Sequence, residues 1–599
     1  MPLSKLIRRL SWMLPGLILL SGPLAWAQPL VEPTLDQPYV MRLHARARTV
    51  DLLIAMLAQP EVSQDPLLHE QVVSSLGRSR SPRAIEPIRR SLSDQDWHVQ
   101  AAAAQALGEF PAELVPALLR AALAAEDNRV AAQAIRSALR LHFKAGAPAI
   151  ASLLDRKDEG LTVLSITALT QLDTPLTGPA LAQQLNAGSL AVRVAALHNA
   201  RLGAPAGEAA KTIETLAEGK DAVLRGLALA CLGKINSANA KGTLTAAAGE
   251  ADWRVRAGAA EGLGDLGPSL SLVKLLSDPS PAVRLAASQA ARKVKDPAAI
   301  EPLWKALQDP IEPNHLAARD ALTALGTPAV ASRAGQLLTE QGTLLLEKIK
   351  GRKPVAPPTA QEQFIRRQAQ AASYILGQAR SKEGYAYHLS LMTALPAADP
   401  LIEQVAVSLG QIGDPRAMPV FTKYIAAARK VALEYFTALV TGAPPTVQWN
   451  ENAYASVVRG MVLLGQDFTE LKAMLEYTMS SGRIAPASLA VMDGLTAPEY
   501  KADRQALVQL LSEVVKDAGY DTATRWKAAR HLAKLKAKEA VPALTDLLEK
   551  QRPNYELMSV AAWAIQEITG TAPAKVGDPV DGAEPLDLIL SADAAPINP

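Results

Sequence analysis

The feature that most constrains this chain is a short pattern that recurs along it. An apolar residue is followed four residues later by a second, eight residues later by leucine, and then by glycine. The pattern occurs at Leu68, Val72, Leu76, Gly77; Val99, Ala103, Leu107, Gly108; Leu224, Ala228, Leu232, Gly233; Val255, Ala259, Leu263, Gly264; and Leu401, Val405, Leu409, Gly410. Positions i, i+4 and i+8 share one stripe of a helix, and glycine after the last leucine is a C-cap signal. Each copy therefore predicts a short amphipathic helix that stops at its glycine.

The spacing of these helices gives a repeat of about 31 residues. Apolar-arginine steps end at Arg193, Arg225, Arg256 and Arg284, which are 32, 31 and 28 residues apart. A second signature, at residues 81–88 and 296–303 and more loosely at 413–420, places proline after Ser or Asp, as suits the first turn of another helix. One helix pair cannot bury its apolar face alone, so such units stack. The sequence predicts an all-α fold, an α-solenoid of antiparallel helix pairs forming a superhelix.

The composition agrees with helix packing. Hydrophobic residues make up 49% of the 599 residues but aromatic residues only 4%, and much of the apolar content is alanine. Sheets favour aromatic and β-branched residues, whereas small side chains let helices approach closely, so the composition favours helix packed on helix.

The units resemble HEAT repeats, in particular the short bacterial type also found in phycobilisome lyases. The best match runs from Asp252-Trp253-Arg254-Val255-Arg256 to Leu266-Gly267: an Asp-containing turn, a Val-Arg step and an Ala-rich helix that ends in Leu-Gly. The resemblance covers residues 65–340, returns at 400–430 and 523–570, and fades between 431 and 520, where apolar spacing still predicts helices. It implies a binding scaffold, although a few HEAT proteins are enzymes.

The first 27 residues predict a signal peptide. Lys5, Arg8 and Arg9 precede an apolar stretch at 13–20, and Ala25-Trp26-Ala27 forms an A-x-A cleavage site. The alternative is an uncleaved anchor, but the apolar stretch is shorter than the ~20 residues that span a bilayer. We therefore expect a periplasmic or secreted protein with no integral membrane segment after cleavage.

The remaining chain divides at segments that disfavour helix. We predict an extended segment at 28–40, a regular HEAT-like array at 41–350, a proline-rich linker or loop at 351–360, and a less regular array at 361–570. Residues 571–599 carry Asp578, Asp581, Glu584, Asp587 and Asp593 against Lys575. Their composition predicts a disordered tail, with residues 586–590 as an alternative short docking motif.

Charge argues against nucleic acid as a partner. The chain has 62 basic and 59 acidic residues, and three of the basic ones lie in the signal peptide, which leaves 59 of each sign. A neutral mature protein lacks the basic footprint of a nucleic-acid binder.

The sequence offers no catalytic, cofactor-binding or metal-binding residues. None of its eight histidines stands at metal-ligand spacing, and the single His69-Glu70 pair cannot build the iron site of the HEAT-type deoxyhypusine hydroxylases. Gly262, Gly264 and Gly267 spell G-x-G-x-x-G, but they follow a helix instead of a strand. Cys231 lies in an apolar run and is expected to be a buried small hydrophobe. We predict that the chain is not an enzyme.

Two residue sets remain open as recognition features. The first set is the periodic arginines Arg193, Arg225, Arg256 and Arg284. They either form a basic ladder that binds an acidic ligand or bond adjacent repeats to each other, and their strict period favours the second role. Aromatic residues concentrate beyond residue 370, either as a recognition surface or as the larger core of larger units. They are Tyr374, Tyr385, Tyr387, Tyr424, Tyr435, Tyr454, Tyr477, Tyr500, Phe421, Phe436, Trp449 and Phe468. Trp97 and Trp253, each after an Asp, present the same choice, and their repeated position favours packing between units.

The functional hypothesis is an exported HEAT-repeat scaffold that binds protein partners in the cell envelope through its concave helical surface. The alternative is a non-catalytic accessory or substrate-binding subunit of an envelope enzyme or redox complex.

Overall fold

A computed structural model describes residues 50–203, 205–235, 237–350, 358–465, 504–520, 522–550 and 555–570, with residues 472–473, 492 and 496 in addition. The predicted signal peptide, the 28–40 segment, residues 351–357 of the proline-rich segment and the tail lie outside the described residues. So do Phe468, Tyr477 and Tyr500.

The described part of the chain is all-α, with helices joined by turns and single 3-10 turns and with no strand, and the fold is an α-solenoid. It divides into two compact units, whose described residues are 181–324 (unit 1) and 50–180 with 325–570 (unit 2).

Unit 2 begins with short helices in alternation. They are α1 (Val50–Leu57), α2 (Pro60–Ser63), α3 (Pro66–Arg78), α4 (Ile85–Ser91), α5 (Trp97–Ala106), α6 (Pro116–Leu123), α7 (Asn128–Arg140), α8 (Ala147–Ser152) and α9 (Glu159–Gln171); α10 (Thr177–Ala187) crosses the division between the units.

Unit 1 repeats the alternation. It contains α11 (Leu190–Ala200), α12 (Gly207–Ala217), α13 (Ala222–Leu232), α14 (Ala240–Ala247), α15 (Trp253–Leu266), α16 (Leu270–Leu275), α17 (Pro281–Val294), α18 (Ile300–Ala306) and α19 (Glu312–Leu325).

Unit 2 then continues with helices of more varied length. They are α20 (Pro328–Ile349), α21 (Ala360–Gln378), α22 (Tyr385–Ala394), α23 (Leu401–Ile412), α24 (Met418–Thr441), α25 (Glu451–Leu463), α26 (Arg504–Lys516), α27 (Thr522–Lys534), α28 (Val541–Lys550) and α29 (Tyr555–Thr569). Where residues 431–520 are described, the apolar spacing correctly predicted helices, in α24, α25 and α26. The regular period fades at α24, which has 24 residues and exceeds the regular length.

The regular repeat is set by the residue that caps the first helix of each pair. The side chains of Asp65, Asp96, Asp127 and Asp158, each 31 residues after the last, accept a hydrogen bond from a backbone amide two or three positions on. In unit 1 the series continues with Ser189, Asp221 and Asp252. Such a cap contributes about 1 kcal/mol to helix stability. The regular spacing of the capping residues therefore fixes where the first helix of each repeat begins.

The capped helices form one layer and the intervening helices the other. In unit 2, α3, α5, α7 and α9 pack in succession, and α6 and α8 pack against α7 and α9. In unit 1, α11, α13, α15 and α17 do the same, with α12, α14 and α16 in the other layer. Alanines fill much of the seam between layers, as at Ala103, Ala134 and Ala259, which are fully buried.

Of the five recurrent glycines, Gly233 is the C-cap of α13, as the sequence predicts, and Gly108 lies in the 3-10 turn that follows α5. Gly77, Gly264 and Gly410 instead lie within their helices, which corrects the prediction for these three. None of the five has a positive φ. A Cβ added to Gly77 would lie 2.5 Å from the Ala106 Cβ, and one added to Gly410 would lie 2.7 Å from the Gly460 Cα. Glycine is required because the next first-layer helix approaches too closely for any side chain.

The helices on either side of the proline-rich segment pack against each other. α20 and α21 are in contact along their length, and α21 starts with a capping box formed by Thr359 and Glu362. The prolines of the second signature, Pro82, Pro297 and Pro415, each open a 3-10 turn that leads into the next helix. The expected role of proline in a first turn is confirmed, with a 3-10 turn preceding the α-helix.

Candidate protein-interaction surface

Three of the four periodic arginines bond adjacent repeats, as their period favoured. Arg225, Arg256 and Arg284 each lie four residues after the capping position of a first-layer helix in unit 1. Arg256 and Arg284 donate to two carbonyls of the loop before their own helix, and Arg225 donates to the Ala217 carbonyl at the end of α12. Each guanidinium also reaches the carboxylate before the next first-layer helix. The ladder is therefore internal, and these three arginines are not a free basic row for an acidic ligand.

The distances make this ladder a set of charge-assisted, mostly bidentate bonds. Arg256 donates to both carboxylate oxygens of Asp278, at 2.7 and 2.8 Å, and to the Glu250 and Ala251 carbonyls. Arg284 donates to Asp309 Oδ2 at 2.6 Å and to the Asp278 and Pro279 carbonyls. Each arginine thus ties together two successive loops on the same edge of unit 1.

Ion pairing in the ladder shifts the pKa values of one carboxylate and one guanidinium group towards the charged forms. Burial raises the pKa of Asp309, but hydrogen bonds from Arg284, the Ile311 amide and Asn314 outweigh it and lower the pKa below its usual value. The hydrogen bond to Asp278 raises the pKa of Arg256. Both groups are therefore charged at neutral pH.

Arg193, the fourth periodic arginine, does not join the ladder. Its Nε is buried, and among the described residues no hydrogen-bond partner of that atom is present.

Unit 1 also carries one apolar residue per repeat near the start of each first-layer helix. Leu190 is 55% exposed, Val223 41% and Ile311 39%, while Trp253 is half-buried and Pro281 exposed. Each lies within two residues of a capping or loop position. We call these five residues the apolar edge row.

The five residues share one edge because the first-layer helices run parallel. Gly226, in the first half of α13, meets the Arg254 carbonyl at the start of α15, and Gly264, near the end of α15, meets Ala290 near the end of α17. The Asn314 amide donates to the Pro281 carbonyl at 3.0 Å, which joins the starts of α19 and α17. With neighbouring helices about 10 Å apart, the row is roughly 40 Å long.

The aromatic residues beyond 370 are mostly core where they are described. Phe421 and Tyr454 are fully buried, and Tyr385 and Tyr424 are nearly so. The Tyr385 and Tyr424 hydroxyls donate to the Asp414 and Ala397 carbonyls, at 3.0 and 2.7 Å. Larger core residues in larger units explain these four, and the recognition-surface hypothesis is not supported for them.

Four more aromatic residues beyond 370 are less deeply buried. Tyr374, Tyr387, Tyr435 and Trp449 are half-buried, and the Phe436 side chain lies outside the described part. The Tyr387 hydroxyl lies 2.7 Å from Thr343 Oγ1, which joins α22 to α20. That contact is again between helices.

The two tryptophans after aspartates differ in their contacts. The Trp97 ring lies 3.5 Å below the Arg129 guanidinium of the next repeat, so the predicted packing between units is confirmed there. Trp253 stacks on Arg254 of its own helix at 4.8 Å, so its outer face contributes to the apolar edge row.

The residues considered for chemistry occupy structural positions. Cys231 is fully buried, and burial raises its pKa to about 12. Gly262 and Gly264 lie within α15 and Gly267 ends it, so the phosphate-loop spelling falls on a helix, as expected.

Within the described ranges, no group of three or more His, Cys, Asp or Glu side chains is placed to hold a metal ion. No helix of that same part is long and apolar enough to cross a bilayer.

Sequence reasoning missed the apolar edge row. Its members follow a capping or loop residue by one or two positions, which gives only a loose sequence signal. Whether a residue at a helix start is exposed depends on the neighbouring loop, which a single repeat does not reveal.

Comparison with known proteins agrees with the repeat assignment. Residues 50–140, 209–271 and 269–343 match the HEAT repeats family, and residues 524–550 match the PBS lyase HEAT-like repeat. The chain is thus a HEAT-like repeat protein, and arrays of such repeats are typically protein-interaction scaffolds. None of the curated proteins compared matches it significantly.

Solved structures with similar folds are distant in sequence. The structure titled Kap95:Nup1 complex aligns at 13% identity and a TM-score of 0.47, covering 89% of this chain and 84% of that chain. Importin beta aligns at 12% identity and a TM-score of 0.42, with 89% and 90% covered. Kap121p aligns at 14% identity and 0.43, with 90% and 68% covered.

Proposed function

We propose that this protein is an exported, non-catalytic scaffold of the cell envelope that binds a protein partner through the apolar edge row. The observation that carries the proposal is the row itself, with an apolar side chain in each of five successive repeats, exposed in four of them and half-buried at Trp253. The row sets exposed apolar side chains along one edge of unit 1, which is the kind of surface that a partner covers. A row of this length fits an extended or helical segment of a partner protein.

The arginine ladder supports this role by holding the row in place. Arg256 and Arg284 bridge the loops that precede α15, α17 and α19, and the row residues Trp253, Pro281 and Ile311 lie on or beside those loops. A surface ordered before binding loses less conformational entropy when it binds. The scaffold therefore presents a preformed site.

Export is proposed from the signal peptide alone. Cleavage after Ala27 would leave a mature chain that begins at Gln28. Fractionation followed by intact-mass measurement tests it: the envelope or medium fraction should contain a chain starting at Gln28. A full-length chain beginning at Met1 in the cytoplasmic fraction would refute export without bearing on the binding surface.

The binding surface is tested by substitution within the row. The double variant Leu190→Lys/Val223→Lys places charges on two exposed positions, so folding should be unaffected while partner binding falls at least fivefold. Quantitative mass spectrometry of proteins captured by wild-type and variant chains from envelope extract gives the measurement. Leu433→Lys is the matched control, because Leu433 is 69% exposed but lies on α24 in unit 2.

The outcome separates the possibilities. A protein captured by wild type and the Leu433 variant but lost by the double variant supports the proposal. Equal capture by all three chains would refute the row as the site. If the captured partner is an enzyme or a redox protein, the chain serves as an accessory subunit of that complex.

A further inference from the structure

The exposed face of α27 is strongly basic. Its basic side chains outside the core are Lys527, Arg530 and Lys534, whereas Arg525 is buried, and the helix contains no acidic residue. Trp526, Arg530 and Lys534 share one stripe, since they stand at positions i, i+4 and i+8 of the helix, and Lys527 lies beside it, three residues before Arg530. The stripe is half-buried at Trp526 and Arg530 and exposed at Lys534.

Arg530 is held between two indole rings. Its guanidinium carbon lies 4.7 Å from the Trp526 ring centroid and 5.8 Å from that of Trp563, on the neighbouring helix α29. Both distances fall within the range of cation–π attraction, which orients a guanidinium while leaving its N–H groups at the ring edges.

Arg530 differs from the other tryptophan-stacked arginines in lacking a carboxylate. Arg129, stacked on Trp97, pairs with Asp127 at 2.7 Å, and Arg254, stacked on Trp253, pairs with Asp252 at 3.4 Å. Arg530 has no ion pair or hydrogen bond to any residue in the described ranges, and Lys534 has none there either. Lys536, close by, is already paired with Glu567 at 3.1 Å.

These groups define the chemistry of a ligand. The guanidinium offers paired donors that match a carboxylate, and Lys534 adds a second positive charge one helical turn away, about 6 Å along the axis. The two indoles offer apolar faces beside the charges. A peptide that alternates carboxylates with aliphatic residues satisfies both features.

The chain contains such a segment a short distance beyond α29. Asp578, Asp581, Glu584 and Asp587 recur every three residues, with Leu586, Leu588, Ile589 and Leu590 beside the last of them.

The tether is long enough. α29 ends at Thr569, 18 residues before Asp587, and an extended chain covers up to ~3.3 Å per residue, or about 60 Å. α27 packs directly on α29, so the distance to be spanned is about one helix diameter. A short tether also raises the effective concentration of the segment to about the millimolar range.

We propose that the face formed by Trp526, Arg530, Lys534 and Trp563 binds the acidic segment 578–590 of the same chain. This contact goes beyond the scaffold function and does not depend on export or on the apolar edge row. It makes the α27–α29 face a site that an outside acidic peptide reaches only by displacing the tail.

The test uses the full chain and a zero-length reagent that joins lysine to carboxylate. Peptide mapping should find Lys534 joined to Glu584 or Asp587. In an equal mixture of unlabelled and nitrogen-15-labelled protein, the product should carry a single isotope label, as an intramolecular contact requires. A mixed-label product would instead assign the segment to a second copy and overturn the proposal.

Variants decide whether the face is responsible. Arg530→Glu should reduce the yield of this product at least fivefold. Glu584→Lys/Asp587→Lys should likewise reduce the joining of Lys534 to the remaining carboxylates, Asp578 and Asp581, at least fivefold. Arg254→Gln is the matched control, because it also removes a tryptophan-stacked arginine, and its yield should equal wild type. Absence of the Lys534 product in wild type would refute the proposal. So would joining of Lys534 to Asp578 or Asp581 in the tail variant at the wild-type yield.

Discussion

At the scale of single residues, close helix packing depends on glycines whose place a side chain cannot take. Gly258 in α15 faces the backbone of Gly226 in α13, and Gly262 likewise faces the Leu229 carbonyl, which a Cβ would approach to 2.5 Å. These contacts let two first-layer helices meet backbone to backbone. Glycine at these positions therefore sets how closely neighbouring first-layer helices pack.

Replacing one of these glycines should destabilise unit 1. For Gly258→Ala we expect a loss of roughly 1–3 kcal/mol of unfolding free energy, because the added methyl overpacks a filled contact. Urea unfolding followed by circular dichroism gives the measurement. Gly242→Ala in α14 is the control: nothing lies within 4 Å of its added Cβ, so helix propensity should stabilise it by about 0.5–1 kcal/mol. Equal effects of the two substitutions would contradict the packing argument.

At the scale of elements, the ladder joins helices through a buried carboxylate. The Asp309 side chain is only 2% exposed and receives Arg284 from the preceding repeat. Arg366 and Asp399 form the same kind of bond in unit 2, at 2.7 Å, with Asp399 3% exposed. The device therefore occurs in both units.

Removing the arginine should cost more than removing a surface ion pair. Arg284→Gln leaves Asp309 buried without its cation, and we expect a loss of roughly 3 kcal/mol, since breaking one side of a buried pair strands a charge. Chemical denaturation at neutral pH measures it. Arg89→Gln, which breaks an exposed pair with Glu86, should leave the unfolding midpoint unchanged. A midpoint for Arg284→Gln equal to wild type would refute the role of the ladder.

A buried histidine makes the packing of α22 sensitive to acid. His388 is fully buried, with Nδ1 3.2 Å from the Gly384 carbonyl and Nε2 3.0 Å from Ser373 Oγ on α21. Burial lowers the pKa of His388 to about 4, against 6.5 when solvated. The unfolded chain therefore binds more protons between these values, so this group reduces stability as pH falls from 6.5 towards 4.

We expect unfolding free energy at pH 5 to be about 2 kcal/mol lower than at pH 7.5 through this group. Urea titrations at the two pH values measure the difference in wild type, and His388→Gln should reduce it. His142→Gln, at an exposed position, should retain the wild-type difference. If His388→Gln retains it as well, another group is responsible.

Most of the element pattern could be predicted from the sequence, and the failures have physical causes. The apolar stripe and the Ser-Pro or Asp-Pro starts located helices correctly because they depend on local geometry. Gly77 was misread as a helix stop because a glycine required by a neighbouring helix and a glycine that caps its own look identical in one sequence. Exposure of Leu190 or Val223 depends on the loop beside each, so the apolar edge row could not be foreseen.

At the scale of the whole molecule, stability should be distributed locally, because each repeat contacts mainly its neighbours. In Arg284→Gln, hydrogen exchange should accelerate at residues 278–315 and remain at wild-type rates at residues 66–140. Mass-spectrometric exchange on matched samples measures both regions. Uniform acceleration along the chain would instead show that the protein unfolds as a single cooperative body.

The regular capping series also has a consequence for how such a chain can change length. Excising residues 97–127 would join Asp96 to Asn128, so that one aspartate would replace another at the start of α7. Gly77 would then face Ser137, the same side chain that Gly108 already accommodates. Recombination between equivalent caps would thus add or delete whole modules without leaving a mismatched seam, whereas an insertion of any other length would disrupt every contact across its junction.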